Sequence, residues 1–327
     1  MGAAVELTKE YQLGAMVATR EAYGQALLDL GKHNTNIVVL DADLSGSTQT
    51  KHFAKAYPER FFNMGIAEMN MIGTAAGLAR AGKIPFASSF AMFASGRAWE
   101  FVRNSVAHNH LNVKVCATHA GLTVGEDGAS HQTIEDVAIM RVIPGMTVIV
   151  PADAVEAYQA ICAIAQYDGP CYVRLGRAKV PVVFNSDYKF QIGKAAILQQ
   201  GSDITLIASG VMLYRTLEAA KELASQGKSV EVINIATIKP LDSEAILKSA
   251  TKTGRVITLE EHNIIGGLGD AVAAVLAEGL SRDLRFKRMG IRDQFGQSGD
   301  GMQLLDHYGL GVKDIVQEVK KLLNDKS

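Results

Sequence analysis

Strand-like and helix-like stretches alternate along this chain at a steady pace, and the alternation runs twice with a single lapse between. In the first run "ATREAYGQALLDLGKH" spaces its apolar residues along one helix face. "NIVVLDADL" is a β-branched run ending in a polar loop, and "AEMNMIGTAAGLARAG" is a helix of small residues. "IPFASSF", "VKVCATHAG", "MTVIVPA" and "PCYVRLGR" read as further strands, interleaved with helices at "GRAWEFVRNSVAHNH", "TIEDVAIMRVI" and "DAVEAYQAICAIAQ". Strands that alternate with helices in this way form a parallel sheet covered on both faces, because each crossover lays its helix against the sheet. Periodicity lapses in "KVPVVFNSDYKFQIG", which reads as a linker. It resumes with "ITLIASG", "VMLYRTLEAAKELASQG", "SVEVINIATIKPLD", "SEAILKSATKTG" and "RVITLEEH", then a helix from "LGDAVAAVLAEG". The expected fold class is α/β, two successive doubly wound domains: a mainly parallel one over residues 1–185 and a smaller one over 186–327. A chain of 327 residues suffices for each to bury its own core.

The formal net charge of -1 leaves no basic excess to release counterions from a polyanion or to settle on an anionic membrane. Nucleic acid and membrane are therefore not expected partners; small ligands and other protein chains are. The N-terminal "MGAAVELTKEYQ" lacks a basic stretch followed by an apolar core, and no apolar run approaches the roughly 18 residues of a membrane span, so a cytoplasmic location is expected. Cys116, Cys162 and Cys171 sit in apolar surroundings without C-x-x-C spacing and read as reduced core cysteines.

Ligands of doubly wound sheets collect at the carboxyl ends of the strands. That rule selects Asp41 to Ser47, Ser88 to Phe93, His119 to His131 and Arg174 to Arg177, so the polar and aromatic oddities of the first half gather at one end of one sheet. Glu68, in "NMGIAEMNMIG", has two readings. One is a first-turn carboxylate favoured by the helix dipole in solvent. The other is a carboxylate in a packed, apolar setting that handles a proton near neutrality. Phe90 and Phe93 are either core or one wall of a flat heteroaromatic ligand. His119 and His131 stand twelve residues apart around "THAGLTVGEDGASHQ", with no third ligand at zinc spacing. Hydrogen bonding to a polyhydroxylated or phosphorylated substrate suits them better. Arg20, Ser47 and Arg177 read either as phosphate contacts or as surface polar residues.

Taken together, "ADLSGS", "FFNMGIAEMNMIGTAAGLA", "SSFAMF", "THAGLTVGEDGASHQ" and "VRLGR" resemble the pyrimidine-binding domain of transketolase. "TIKPLD", "VITLEEHNIIGGLGDAV" and "FGQSG" resemble its C-terminal domain. The resemblance spans nearly the whole chain and implies thiamine diphosphate as cofactor. Glu68 matches the glutamate that hydrogen-bonds the aminopyrimidine, Phe90 and Phe93 match the aromatic pocket for that ring, and Asp43 matches the aspartate near the thiazolium. His131 matches the histidine that assists proton transfer at the substrate carbonyl, and Asp127 the residue that reads the donor's C2 hydroxyl. Arg20, Ser47, His119 and Arg177 match the contacts to the phosphate end. The resemblance also implies ketol transfer, in which a two-carbon unit moves from a ketose phosphate to an aldose.

Two departures stand out. The family's third pocket aromatic falls on Gly96, so Arg97 or Trp99 is expected to complete the wall. The domain that holds the diphosphate is absent: Gly299-Asp300-Gly301 followed by Asn324 mimics its metal motif, but only one helix is expected between them, and the motif requires a helix and a further strand. The chain thus resembles the C-terminal subunit of a split transketolase. A separate N-terminal chain of about 270 residues supplies the diphosphate domain with its Mg2+ (or Ca2+), giving an α2β2 assembly that acts on sugar phosphates. The alternatives are the beta subunit of a 2-oxoacid dehydrogenase, a 1-deoxyxylulose-5-phosphate synthase-like enzyme, and a non-catalytic regulatory paralogue. "THAGLTVGEDGASHQ" stands against the first two, and the presence of Glu68, His119, Asp127 and His131 together against the third.

Overall fold

A computed structural model describes residues 10–280 and 283–324. Residues 1–9 and 325–327, which open and close the expected domain ranges, lie outside the described residues. The architecture is two α/β units with mainly parallel sheets.

The larger sheet has seven strands in the order Thr237–Lys239, Thr147–Ile149, Cys171–Arg174, Lys114–Thr118, Ile84–Phe90, Ile37–Asp41 and Phe61–Asn63. Every neighbouring pair is parallel except the first. Ile37–Asp41, Lys114–Thr118 and Cys171–Arg174 are buried at every position, which is why they read as continuous apolar runs rather than as alternation. Lys114 is the exception in character. Its ammonium donates to the carbonyls of Tyr167 and Gly169, each at 2.7 Å, and burial pushes its pKa down. The helices Thr19–His33 and Ala154–Gln166 pack against each other on one face of the sheet, and Glu68–Arg80 covers the other.

The smaller sheet runs Arg285–Ile291, Arg255–Asn263, Ile204–Ala208, Val230–Asn234 and Ala196–Gln199, parallel throughout except at the last strand. Arg285–Ile291 escapes sequence reading because its first four residues are half-buried at the sheet edge and carry Arg and Lys. The two units are stitched together: directly after Val230–Asn234 the chain leaves its own sheet, and Thr237–Lys239 adds an antiparallel edge strand to the larger one.

Three local readings are corrected. "GRAWEFVRNSVAHNH" is not a regular helix, since wider π turns over Met92–Arg97 and Val102–Ala107 flank the short α turn Trp99–Phe101. Such winding re-aims side chains and recurs at functional sites. The expected linker is a packed strap. Lys179–Pro181 pairs with Met16–Ala18, Phe184 stacks on Tyr188, and the Val183 and Phe184 amides donate to Asp153. Two helices, not one, follow Gly299, at Gly301–His307 and Val312–Asn324. Asp300 caps the first, its Oδ1 accepting from the Met302 and Gln303 amides, so the apparent metal motif is a helix start. No helix among the described residues is long and apolar enough to cross a membrane.

Glu156 ties strap, helix and second sheet into one buried knot. Its carboxyl accepts from Tyr188 Oη at 2.6 Å, Asn234 Nδ2 at 2.7 Å and the Ala152 amide at 2.8 Å. Burial nevertheless pushes its pKa up to about 7. The native state therefore holds this proton across a range where the unfolded chain releases it. The contribution to stability is complete below about pH 4.5 and is lost as pH rises to about 7, with a total on the order of 3 kcal/mol. Stability of the wild-type chain should fall between pH 5 and 7.5, and in Glu156→Gln that fall should shrink by about 2 kcal/mol. Urea denaturation at the two pH values measures it; an unchanged decline in the variant refutes the assignment.

Candidate functional site

The carboxyl ends of Ile37–Asp41, Ile84–Phe90, Lys114–Thr118 and Cys171–Arg174 open side by side, as a doubly wound sheet requires. Helix starts supply two more residues: Glu68 opens Glu68–Arg80, and Arg20 lies in the first turn of Thr19–His33.

Glu68 is 1% exposed, which excludes the solvated helix-dipole reading. Its Oε2 accepts from Arg97 Nη1 at 2.9 Å. Its Oε1 is buried without a hydrogen-bond partner. Arg97 in turn lies 5.0 Å over the Phe93 ring, which links Glu68 to the aromatic pair. Trp99 does not share that role, because its Nε1 donates to the Ile139 carbonyl and its ring packs against the core. The Phe90 and Phe93 rings are nearly parallel at 6.2 Å, too close to admit a third ring between them, so they form one wall. His131 meets both edge-on, with centroids 6.2 Å and 5.3 Å away, and its Nδ1 lies 2.9 Å from Ser130 Oγ.

On the other side of Phe90, His119 stacks at 3.9 Å. Its ring is held by Thr118 Oγ1 at 2.8 Å and Arg20 Nη1 at 3.2 Å. Burial first, then Arg20 and Arg177, push the His119 pKa down to about 3. His119 is thereby a neutral ring, in keeping with the hydrogen-bonding role expected of it. Arg20 Nη1 also donates to the Ser47 carbonyl at 2.8 Å, so Ser47 is engaged through its backbone. Burial, then Arg177, lowers the Arg20 pKa. Arg177 donates to the Val124 carbonyl and to Glu126 at 3.0 Å, with Asp127 at 3.9 Å.

Asp43 stands apart from the ring cluster, exposed and in left-handed backbone with φ 64°. It accepts from Asn63 Nδ2 at 2.9 Å. Its conformation is held by Asp41, which sequence reading passed over. Asp41 is fully buried and accepts from the Leu44 amide and the Thr48 and Thr50 hydroxyls at 2.6–2.9 Å. Two hydroxyl residues within nine positions of a buried aspartate were the available signal. Glu126 was passed over as well: loop carboxylates are common, and only the fold brings Arg177 to it. No group of three or more His, Cys, Asp or Glu side chains among the described residues is arranged to hold a metal ion.

Comparison with known proteins assigns both units. Residues 15–182 match the transketolase pyrimidine binding domain and residues 193–315 the transketolase C-terminal domain. The chain is 54% identical over 315 residues to a protein of Methanocaldococcus jannaschii carrying the provisional name of a transketolase C-terminal section, covering 94% of this chain and 98% of that one. It is 44% identical over 308 residues to the 6-deoxy-6-sulfo-D-fructose transketolase subunit SqwH of Clostridium sp. (strain MSTE9), covering 94% and 95% respectively. A solved structure described as a split gene transketolase, inactive beta4 tetramer, superposes with a TM-score of 0.88 at 52% identity, over 95% of this chain and 100% of that one.

With a depressed pKa, His119 stays neutral throughout the range in which a solvated histidine titrates. Its ring C–H resonances should not move between pH 8 and pH 5, as followed by NMR with His119→Gln for assignment. A titration centred near 6.5 would place the ring in solvent and break the Phe90–His119 stack.

Proposed function

The chain belongs to the transketolase family, and from that premise we propose that it is the C-terminal, pyrimidine-binding subunit of a two-chain, thiamine diphosphate-dependent transketolase. The observation that carries the reading is Glu68, buried with one carboxyl oxygen on Arg97, itself over the Phe93 ring, and the other lacking a donor. A buried acceptor without a partner is costly unless a ligand supplies one, and the ring N–H of a bound aminopyrimidine does so. The residues present therefore fit the cofactor.

Once bound, thiamine diphosphate supplies the electron sink for breaking the C2–C3 bond of a ketose. In this reading Glu68 Oε1 holds the pyrimidine's ring proton, and Arg97 keeps the second oxygen oriented. Phe90 and Phe93 support the ring, while Asp43 lies toward the thiazolium. His131 exchanges a proton with the substrate's carbonyl region, and Asp127 reads the C2 hydroxyl. Neutral His119 with Arg20, Ser47 and Arg177 receives the phosphate end of the sugar, where guanidinium forks match phosphate oxygens. The proposed division is residues 1–185 for the pyrimidine-binding domain and 186–327 for the C-terminal domain.

The diphosphate and its Mg2+ (or Ca2+) are held by a separate N-terminal subunit in an α2β2 assembly in the cytoplasm, and the donor is a ketose phosphate. Support for a second chain comes from relatives named as a section or a subunit, and from a similar chain whose tetramer of one subunit type is described as inactive. Phe62, Ile66 and Met69, all within six positions of Glu68 along the chain, are exposed, as expected of a face that another chain covers.

Ketol transfer from xylulose 5-phosphate to ribose 5-phosphate, assayed with thiamine diphosphate and Mg2+, should appear only when this chain is mixed with its diphosphate-domain companion. Activity of the chain alone refutes the half-site reading. In the mixture, Glu68→Ala should lower kcat by at least about 10³-fold while leaving the melting temperature nearly unchanged. Near-normal turnover in that variant removes Glu68 from the mechanism. Arg177→Ala and His119→Ala should act chiefly on KM for phosphorylated sugars; if kcat alone falls, their assignment to the phosphate end is wrong.

A further inference from the structure

The loop of residues 118–132, which carries His119, Asp127 and His131, is gripped from behind by the second α/β unit. Glu261, on the strand Arg255–Asn263, reaches across the seam, and its Oε1 accepts the Thr123 amide at 2.6 Å. The same carboxylate lies flush against Gly121, in left-handed backbone with φ 80°, and leaves no room there for a Cβ. Arg174 holds the carboxylate in place. Its Nη1 lies 3.5 Å from Glu261 Oε2, its Nη2 donates to the Glu261 carbonyl at 2.9 Å, and its Nε donates to Asp136 at 3.0 Å. Arg174, Asp136 and Glu261 are 7%, 0% and 4% exposed, so the group is sealed from water.

The grip continues along the loop. Gln132 Nε2 lies within 3.3 Å of the carbonyls of Leu122, Gly125 and Gln297, and Ser298 Oγ donates to the Glu126 carbonyl at 2.6 Å. Gly301 abuts the Thr123 backbone so closely that a Cβ has no space.

Two residues before Gly121, His119 has φ 58°, an unfavourable backbone conformation for a residue with a Cβ. Such a residue persists only where its surroundings over-determine it. On the N-terminal side the sheet and the Thr118 hydroxyl do so; on the C-terminal side the fixed points are a long 3.4 Å hydrogen bond from the Ala120 amide to the Leu175 carbonyl, then the Gly121 amide on the Thr133 carbonyl and the Thr123 amide on Glu261 at 2.6 Å. We infer that Glu261 is a positioning residue for the sugar-reading wall, and that the second domain serves the reaction by fixing that wall through the Glu261–Thr123 hydrogen bond. The inference rests on the transketolase reading for its link to sugars, whereas the hold on the loop does not.

The test compares Glu261→Ala and Glu261→Gln with wild type. The variants are read by amide hydrogen exchange of the full chain, by ketol-transfer kinetics with the companion subunit, and by thiamine diphosphate binding to the pair. In Glu261→Ala, amides across residues 119–128 should exchange about tenfold faster. The kcat/KM for the sugar phosphate should fall about 100-fold, because the wall is displaced, while the cofactor Kd stays within threefold of wild type. Glu261→Gln keeps a weaker, uncharged acceptor for the Thr123 amide and should recover only in part, to a kcat/KM about three- to tenfold below wild type. Unchanged exchange of the loop in Glu261→Ala overturns the inference, as does a parallel loss of cofactor affinity, which marks a merely structural residue. If Glu261→Ala does not fold, the Gln variant decides. Faster exchange at residues 121–124 with a three- to tenfold lower kcat/KM supports the inference, and wild-type behaviour overturns it. A wild-type pair without ketol transfer refutes the proposed function instead, and loop exchange still settles the role of Glu261.

Discussion

One buried guanidinium, that of Arg174, holds the two halves of this protein in register. It leaves the carboxyl end of a central strand, pairs with Asp136 of its own domain, and pairs with Glu261 of the other. Burial works against its charge, yet the two carboxylates outweigh burial, and its pKa is raised. Tyr172 Oη adds a 2.7 Å hydrogen bond to Asp136, so the acidic partners share their charge among several donors. A buried ion pair of this kind contributes little net stability relative to an apolar substitute, but removing one partner strands a charge at a cost of about 3–5 kcal/mol. Its consequence here is geometric: Arg174 fixes the position of Glu261, and Glu261 in turn holds the Thr123 amide of the loop.

The site uses this rigidity where the backbone is least comfortable. Asp43 and His119 both adopt left-handed conformations without being glycine, and both sit at strand ends facing the same opening. Each is braced by a buried carboxylate behind it, Asp41 for the first loop and Glu261 for the second. The residues that face the opening belong to the first domain, while the brace for the loop of residues 118–132 comes from the second. That division gives the C-terminal unit a physical task even though it presents no ring or carboxyl to the pyrimidine wall. Electrostatics follow the same layout: burial first, then Arg20 and Arg177, pushes the His119 pKa down, so the histidine at the far end of the opening is neutral.

Much of this was legible in the order of residues. Continuous apolar runs such as Ile37–Asp41 and Lys114–Thr118 announced central parallel strands, because burial on both faces erases alternation. The strand-end rule then gathered Phe90, His119 and His131 correctly, and the helix start at Glu68 was visible in "GIAEMN". Reading failed where a residue's role depends on a distant neighbour. Gly299-Asp300-Gly301 was no such failure: it was set aside as a mimic of a metal motif, and Asp300 caps a helix through the Met302 and Gln303 amides. Trp99 and Arg97 were equal candidates for the empty aromatic position until the wide helical turns aimed Arg97 at Phe93 and Trp99 at the core.

By itself, then, the sequence determined the two α/β periods and the end of the first sheet at which Phe90, Phe93, His119 and His131 gather. These follow from local periodicity and chain connectivity, which neighbouring residues fix. Only the tertiary structure decided that Arg97 lies between Glu68 and the Phe93 ring, that burial depresses the His119 pKa, that Thr237–Lys239 crosses into the other sheet, and that Glu261 grips a loop 138 positions away. Each of these depends on which groups lose their water together, and desolvation is a property of the packed molecule that no stretch of chain carries alone.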